Sequence, residues 1–174
     1  NSDVYTVEYA QFVETFNSVA MPDYLPHAFF IAGGALAVEN ALKVAMDWKV
    51  QKNFAKGYVE EKGFKVIHFE QAFNGRSGYT LSLTNTLPDK TKWFAKFDWP
   101  RVSNPMIKYP LTEENLPDLI AREEKSINEI KAAFAAHKDD ICAIIIEPVQ
   151  AEGGDHHFRI EFMEKLRQLA DEND

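Results

Sequence analysis

Ile141-Cys142-Ala143-Ile144-Ile145-Ile146-Glu147-Pro148 is the stretch on which the fold turns: an unbroken apolar run ended by a carboxylate and a proline. A half-buried strand alternates apolar and polar residues, whereas a strand covered on both faces is apolar throughout. The spacing therefore predicts a buried strand over Ile141–Ile146. Just upstream, Leu119, Ile120, Ile127, Ile130 and Phe134 recur at helical intervals, with Pro117 tolerable in the first turn of that helix. Downstream, Gly153-Gly154 opens a loop, and Phe162, Leu166, Leu169 and Ala170 form the apolar face of a last helix.

The same alternation extends toward the start of the chain. Val66-Ile67-His68-Phe69 reads as a second strand, and Ala28-Phe29-Phe30-Ile31-Ala32 as a third. Gly33-Gly34 punctuates that third run. A long helix is expected after it, with Val38, Ala41, Leu42, Ala45 and Trp48 on one face and a Glu39–Lys43 i,i+4 pair on the other. Tyr9, Phe12, Val13 and Phe16 mark a helix within Tyr5–Val19, before Pro22 and Pro26 break the chain. Strands alternating with long helices predict an α/β fold, a mostly parallel sheet with helices on both faces. Ligands of such sheets bind at the carboxyl ends of the strands. Attention therefore falls on the residues after Ala32, Phe69 and Ile146. Between Gln71 and Arg101 only Tyr79–Leu83 suggests a short helix, and so long an irregular segment is uncommon unless it serves a site.

Bulk composition excludes more than it selects. With 174 residues, 45% of them hydrophobic, the chain can bury one sizeable core. A formal net charge of −8, with both signs interspersed, disfavours nucleic acid and anionic membrane surfaces as partners. No apolar run reaches the roughly 18 residues of a membrane span. Asn1-Ser2-Asp3-Val4-Tyr5 lacks the basic start and apolar core of a leader. The single cysteine, Cys142, has no internal disulfide partner and reads as a buried, inert thiol in a reducing cytoplasm. The chain has no initiator methionine and stops just after a helical pattern, so its ends are expected to be cuts through a larger domain.

Three loops could carry chemistry. Gly33-Gly34-Ala35 opens a helix, and free amides at a helix N-terminus favour an anion, although two glycines also serve many turns for steric reasons. The spacing matches neither a Walker loop nor a dinucleotide fingerprint. Phe73-Asn74-Gly75-Arg76-Ser77-Gly78 sets an aromatic beside a lone arginine. That pair could stack on a planar ring and clamp a carboxylate, or be a packing ring and a surface charge. Glu147, ending a buried strand, is costly unless paired or functional. His156-His157 invites a metal, but adjacent histidines share no face of a strand or helix, and no spaced ligands accompany them. No metal site is expected. Neither a nucleophile elbow nor a partnered catalytic cysteine is present.

Taken together, Ala32 to Lys43, Phe73 to Asn85, Lys96-Phe97-Asp98-Trp99-Pro100-Arg101 and Glu147 to Gly154 resemble the class III aminotransferases of the fold-type I pyridoxal-phosphate enzymes. Within that class they most resemble the lysine 6-aminotransferase group, over essentially the whole chain. The resemblance implies that the 174 residues are part of the large, cofactor-binding domain, and that pyridoxal 5'-phosphate is the cofactor. Gly34 and Ala35 would offer amides to its phosphate, Phe73 would stack on its ring, and Glu147 would organise the pocket beside it. Arg76 would hold the α-carboxylate of L-lysine, and Glu152 would be a switch residue that pairs with an arginine from the C-terminal part and then releases it for 2-oxoglutarate. The implied reaction passes the ε-amino group of L-lysine to 2-oxoglutarate, leaving 2-aminoadipate 6-semialdehyde and glutamate. A cytoplasmic homodimer is expected. The Schiff-base lysine and the aspartate facing the pyridine nitrogen are expected beyond Asp174, so no catalytic residue is assigned here and the piece alone is expected to be inactive. Asn74 replaces a common histidine and Ala151 a common glycine. Ornithine or 4-aminobutyrate as amino donor, and a non-catalytic α/β binding module, are the alternatives.

Overall fold

The computed structural model describes residues 4–174. Asn1 to Asp3, on which the expectation of no leader partly rests, lie outside the described residues. The chain divides into two compact units, the first ending at Ile31 and the second spanning Ala32–Asp174.

In the first unit, α1 (Val7–Val19) begins at Thr6, whose hydroxyl accepts the Tyr9 amide at 3.2 Å and satisfies one of the orphan donors of the helix start. The strand expected over Ala28–Ala32 does not form. Phe30 instead sets its ring edge-on to Tyr9, Phe12 and Phe16, with centroids 5.2–6.1 Å apart. Only Phe30 of the run is partly covered, while Phe29 and Ile31 are exposed, so an apolar run here does not mark a buried strand.

The second unit follows the expected alternation. After α2 (Gly34–Ala55) come β1 (Lys65–Phe69), the short α3 (Thr80–Leu83), a 3-10 turn at Pro88–Lys90, and β2 (Arg101–Val102). Then come α4 (Leu116–Ala136), β3 (Ile141–Ile144), β4 (Val149–Gln150), α5 (Ala151–Gly154), β5 (His156–His157) and α6 (Ile160–Asn173). β1 is central in the order β2-β1-β3 and parallel to both neighbours, with His68 opposite Arg101 and Ile67 opposite Ile144. Side chains alternate across β1, so Ile67 and Phe69 meet Ile130 of α4 and Phe162, Leu166 and Leu169 of α6. On the other face Val66 meets Leu42 and Met46 of α2, with Leu83 and Trp99. Helices thus cover both faces of a parallel sheet.

Four local expectations change. The inward face of α2 is Leu42, Met46, Lys49 and Asn53, while Trp48 is 49% exposed. Lys49 is buried because its stem lies under the core while its ammonium donates to the carbonyls of Asn173 (3.2 Å) and Asp174 (2.8 Å). Glu39 forms no ion pair with Lys43; it turns to the loop after β1, accepting from Ser77 Oγ at 2.6 Å and the Tyr79 amide at 3.0 Å. The β3 ladder ends at Ile144 rather than Ile146, although the Ile145 amide still reaches Ile67 O at 2.9 Å. Finally, Gly153-Gly154 closes the single turn α5 instead of opening a loop, and β4 pairs antiparallel with β5.

Candidate functional site

The carboxyl ends of β1 and β3 lie side by side because the strands are parallel neighbours, and the loops that leave them touch. The Phe73 backbone amide donates to Glu147 Oε1 at 2.7 Å, joining residues 74 positions apart. Burial raises the Glu147 carboxyl above its ordinary range; the Phe73 amide opposes that rise and the negative charge of Glu152 adds to it. The charge at the end of β3 is therefore neither idle nor fully solvated.

The start of α2 closes on the same loop. Gly75, buried, with φ +116°, passes so near that an added Cβ would stand 2.6 Å from Ala35 Cβ and 2.8 Å from Thr80 Oγ1. Thr84 Oγ1 donates to Gly75 O at 2.6 Å and accepts the Asn74 amide at 2.9 Å, fixing the turn from within. Ala35, Gly75, Phe73 and Glu147 thus form one connected rim, although they come from three distant segments. The Glu152 loop reaches this rim as well: Glu152 Oε1 accepts from Thr86 Oγ1 at 2.6 Å and pairs with Lys90. Those bonds, from Lys90 first and then Thr86, hold the Glu152 carboxyl below its ordinary range. The Lys90 ammonium also lies 5.4 Å from the centroid of the half-buried Phe73 ring. Arg76 is exposed, and among the described residues its guanidinium takes no hydrogen bond or ion pair.

The first turn of α2 has free capacity for an anion. Its N-cap, Gly33, takes φ +93°, a backbone conformation natural to glycine, and offers no side-chain cap to the helix amides. A Cβ added at Gly34 would meet nothing within 4 Å. Helix-start amides without a side-chain cap, an aromatic ring and a guanidinium without a partner among the described residues fit a phosphorylated, planar, carboxylate-bearing complex. The residues present thus fit pyridoxal phosphate.

Of the six residues singled out from the sequence, Phe73, Arg76 and Glu147 lie in the loops after β1 and β3, Gly34 and Ala35 open α2, and Glu152 lies in the single turn α5. Lys90, Thr86 and Glu39 were missed. Lys90 and Thr86 lie in the irregular segment, where no periodicity marks them, and Glu39 passes for an ordinary helix-surface charge. The other sequence features lie elsewhere. His156 Nδ1 sits 3.1 Å from Gln150 Oε1 and 3.2 Å from Asn104 Nδ2, while the His157 ring packs edge-on to Tyr109. Among the described residues no three His, Cys, Asp or Glu side chains are grouped for a metal, and no helix is long and apolar enough to cross a membrane. Burial pushes the Cys142 thiol up to about 11, so it stays protonated at neutral pH. A cleft of about 740 Å³ lined by His68, Phe97, Trp99 and Arg101 lies beside the start of β2 and the last turn of α4.

An α/β sheet with its conspicuous loops gathered at the carboxyl rim defines the general class, and comparison with known proteins supplies the family. A family model described as aminotransferase class-III matches residues 3–174. L-lysine-epsilon aminotransferases of Mycobacterium tuberculosis and Streptomyces clavuligerus are 52% and 47% identical over the whole chain. The chain spans only 38% of the length of each. A solved lysine aminotransferase from M. tuberculosis superposes with a TM-score of 0.95 at 52% identity, covering 100% of this chain and 39% of that one. The chain belongs to the class III aminotransferases.

Proposed function

We propose that these residues form part of the large domain of an enzyme that moves the ε-amino group of L-lysine to 2-oxoglutarate, yielding 2-aminoadipate 6-semialdehyde and glutamate. The reading is supported by the 52% identity to a lysine-specific relative and, in the structure, by one observation above all. Ala35, Gly75, Phe73 and Glu147 meet at the carboxyl rim of a parallel sheet, where α/β proteins bind their ligands.

Pyridoxal phosphate bound there would supply an electron sink for the carbon that carries the amino group. The chain's own residues divide the remaining work. The amides of Gly34 and Ala35 bind the phosphate, aided by the α2 dipole. Phe73 offers its ring face to the pyridine, and Glu147 fixes Phe73 through its amide while shaping the pocket beside the ring. Arg76 takes the α-carboxylate of lysine, which directs the distal amino group toward the ring. Glu152, beside Arg76 and Lys90, adjusts the positive charge that a carboxylate substrate meets.

The Schiff-base lysine and the aspartate for the pyridine nitrogen are assigned to parts of the enzyme outside these residues. The 174-residue chain by itself is accordingly expected not to transaminate. A cytoplasmic homodimer completes the reading. The test is a coupled assay of an intact enzyme carrying these residues, with L-lysine, L-ornithine and 4-aminobutyrate as competing donors to 2-oxoglutarate. Preference for lysine supports the reading. Preference for ornithine or 4-aminobutyrate moves it to another member of the class, and absence of both turnover and cofactor binding leaves a non-catalytic module.

A further inference from the structure

Arg76 is exposed and its side chain has no partner among the described residues, so its place is set by the backbone that carries it. That backbone is pinned on both sides to one face of α2. Before Arg76, buried Gly75 lies so close to the helix that an added Cβ would stand 2.6 Å from Ala35 Cβ. After Arg76, Glu39 Oε1 accepts from Ser77 Oγ at 2.6 Å and from the Tyr79 amide at 3.0 Å. Ala35 and Glu39 are one helical turn apart, and residues at that spacing stack on the same face. Thr80, fully buried, closes the span from within, its Oγ1 accepting the Ser77 amide at 3.0 Å. The guanidinium is thus carried on a short stretch slung between two successive turns of α2.

We propose that Glu39 is a positioning residue that sets donor length: it seats the Arg76 turn on the helix whose first amides take the cofactor phosphate, and so fixes the gap a donor must span between Arg76 and the ring. The inference rests on the proposed function in taking Arg76 as the carboxylate group and Gly34 and Ala35 as the phosphate amides. The helix is then a common rail, with the phosphate held at its first turn and the carboxylate group at its second. L-Lysine and L-ornithine carry the same carboxylate and the same terminal amine, and differ by one methylene. Choosing between them demands that the carboxylate be held to within about 1 Å, since a misplacement of that size can cost about 100-fold in rate. An exposed arginine on an untethered loop does not have that precision. A carboxylate acceptor supplies it, because hydrogen bonds to a charged group are shorter and about twice as strong as neutral ones.

The experiment compares kcat/KM for L-lysine and L-ornithine in the intact enzyme, with 1,5-diaminopentane as a donor that lacks the carboxylate. Glu39→Ala is expected to lower the lysine-to-ornithine ratio about tenfold, chiefly through a raised KM for L-lysine. Turnover of the diamine, and the affinity for pyridoxal phosphate read by absorbance titration, are expected to stay close to those of the native enzyme. Glu39→Gln, which keeps an acceptor oxygen without the charge, is expected to retain most of the preference. Ser77→Ala removes one donor and leaves the helix intact; it is expected to move the ratio the same way by about threefold, and it carries the test if Glu39→Ala does not fold. A ratio that does not fall, or equal losses for all three donors as a purely structural acid would give, would overturn the proposal. Failure of the functional reading looks different: Arg76→Ala would then leave the lysine kinetics unaltered, and the proposal falls with it.

Discussion

The Phe73 amide and the Glu147 carboxylate, 2.7 Å apart, couple the loop leaving β1 to the loop leaving β3. A half-buried acid is retained at a strand end because a backbone donor at once uses and needs its charge. Glu147→Ala would leave that amide without an acceptor, at a cost of about 1–3 kcal/mol. Its effect should be felt locally, as a looser Phe73 and pyridoxal phosphate bound about tenfold more weakly in an absorbance titration. Glu147→Gln, which retains an acceptor oxygen, should lose less, and equal losses for both variants would contradict the coupling.

Gly75 is a sharper structural test. Its φ of +116° and the 2.6 Å approach of an added Cβ to Ala35 leave no route of easy relief. Gly75→Ala is expected to cost about 2–4 kcal/mol, read as a fall in the thermal midpoint. Pairing it with Ala35→Gly should recover the part due to contact but not the part due to backbone strain.

Arg76→Ala in the intact enzyme should lower kcat/KM for L-lysine by roughly 10- to 100-fold, the usual range for a lost charge-assisted carboxylate contact. A donor lacking the α-carboxylate should suffer far less. Unchanged lysine kinetics would remove Arg76 from the substrate site.

His68 predicts an acid sensitivity of the fold itself. Burial, and secondarily the charge of Arg101, lowers its pKa from 6.5 to about 4. The unfolded chain takes up a proton near pH 6.5, whereas the folded one resists until about pH 4. The stability carried by neutral His68 is therefore complete above pH 6.5 and declines as pH falls through 4, by an amount on the order of 3 kcal/mol. Urea midpoints compared at pH 7.5 and pH 4.5 should differ more for the native chain than for His68→Gln; equal differences would show that His68 is not the group responsible.

Much of the architecture could be read from one dimension. Ile141–Ile146 and Val66–Phe69 are apolar throughout because both faces of a parallel strand are covered, and the helices α2, α4 and α6 carry the stripes that cover them. The run Ala28–Ala32 is equally apolar but has no ladder and is mostly exposed, since nothing in an apolar run states whether a partner strand will pair with it. The Glu39–Lys43 spacing was equally misleading. An i,i+4 pair on an exposed face is worth only a few tenths of a kcal/mol, and Glu39 gains more from Ser77 and the Tyr79 amide.

The sequence by itself determined the parallel α/β class and, through resemblance, the family and its six candidate site residues, because strand periodicity and loop motifs are local properties of the chain. Tertiary structure alone decided which partners those residues take. It closed Gly75 on Ala35, set the Phe73 amide on Glu147, and gave Glu152 to Lys90 and Thr86 rather than to Arg76. Such pairings join residues tens of positions apart, and their energies depend on burial and distance, which exist only once the sheet has brought its strand ends together.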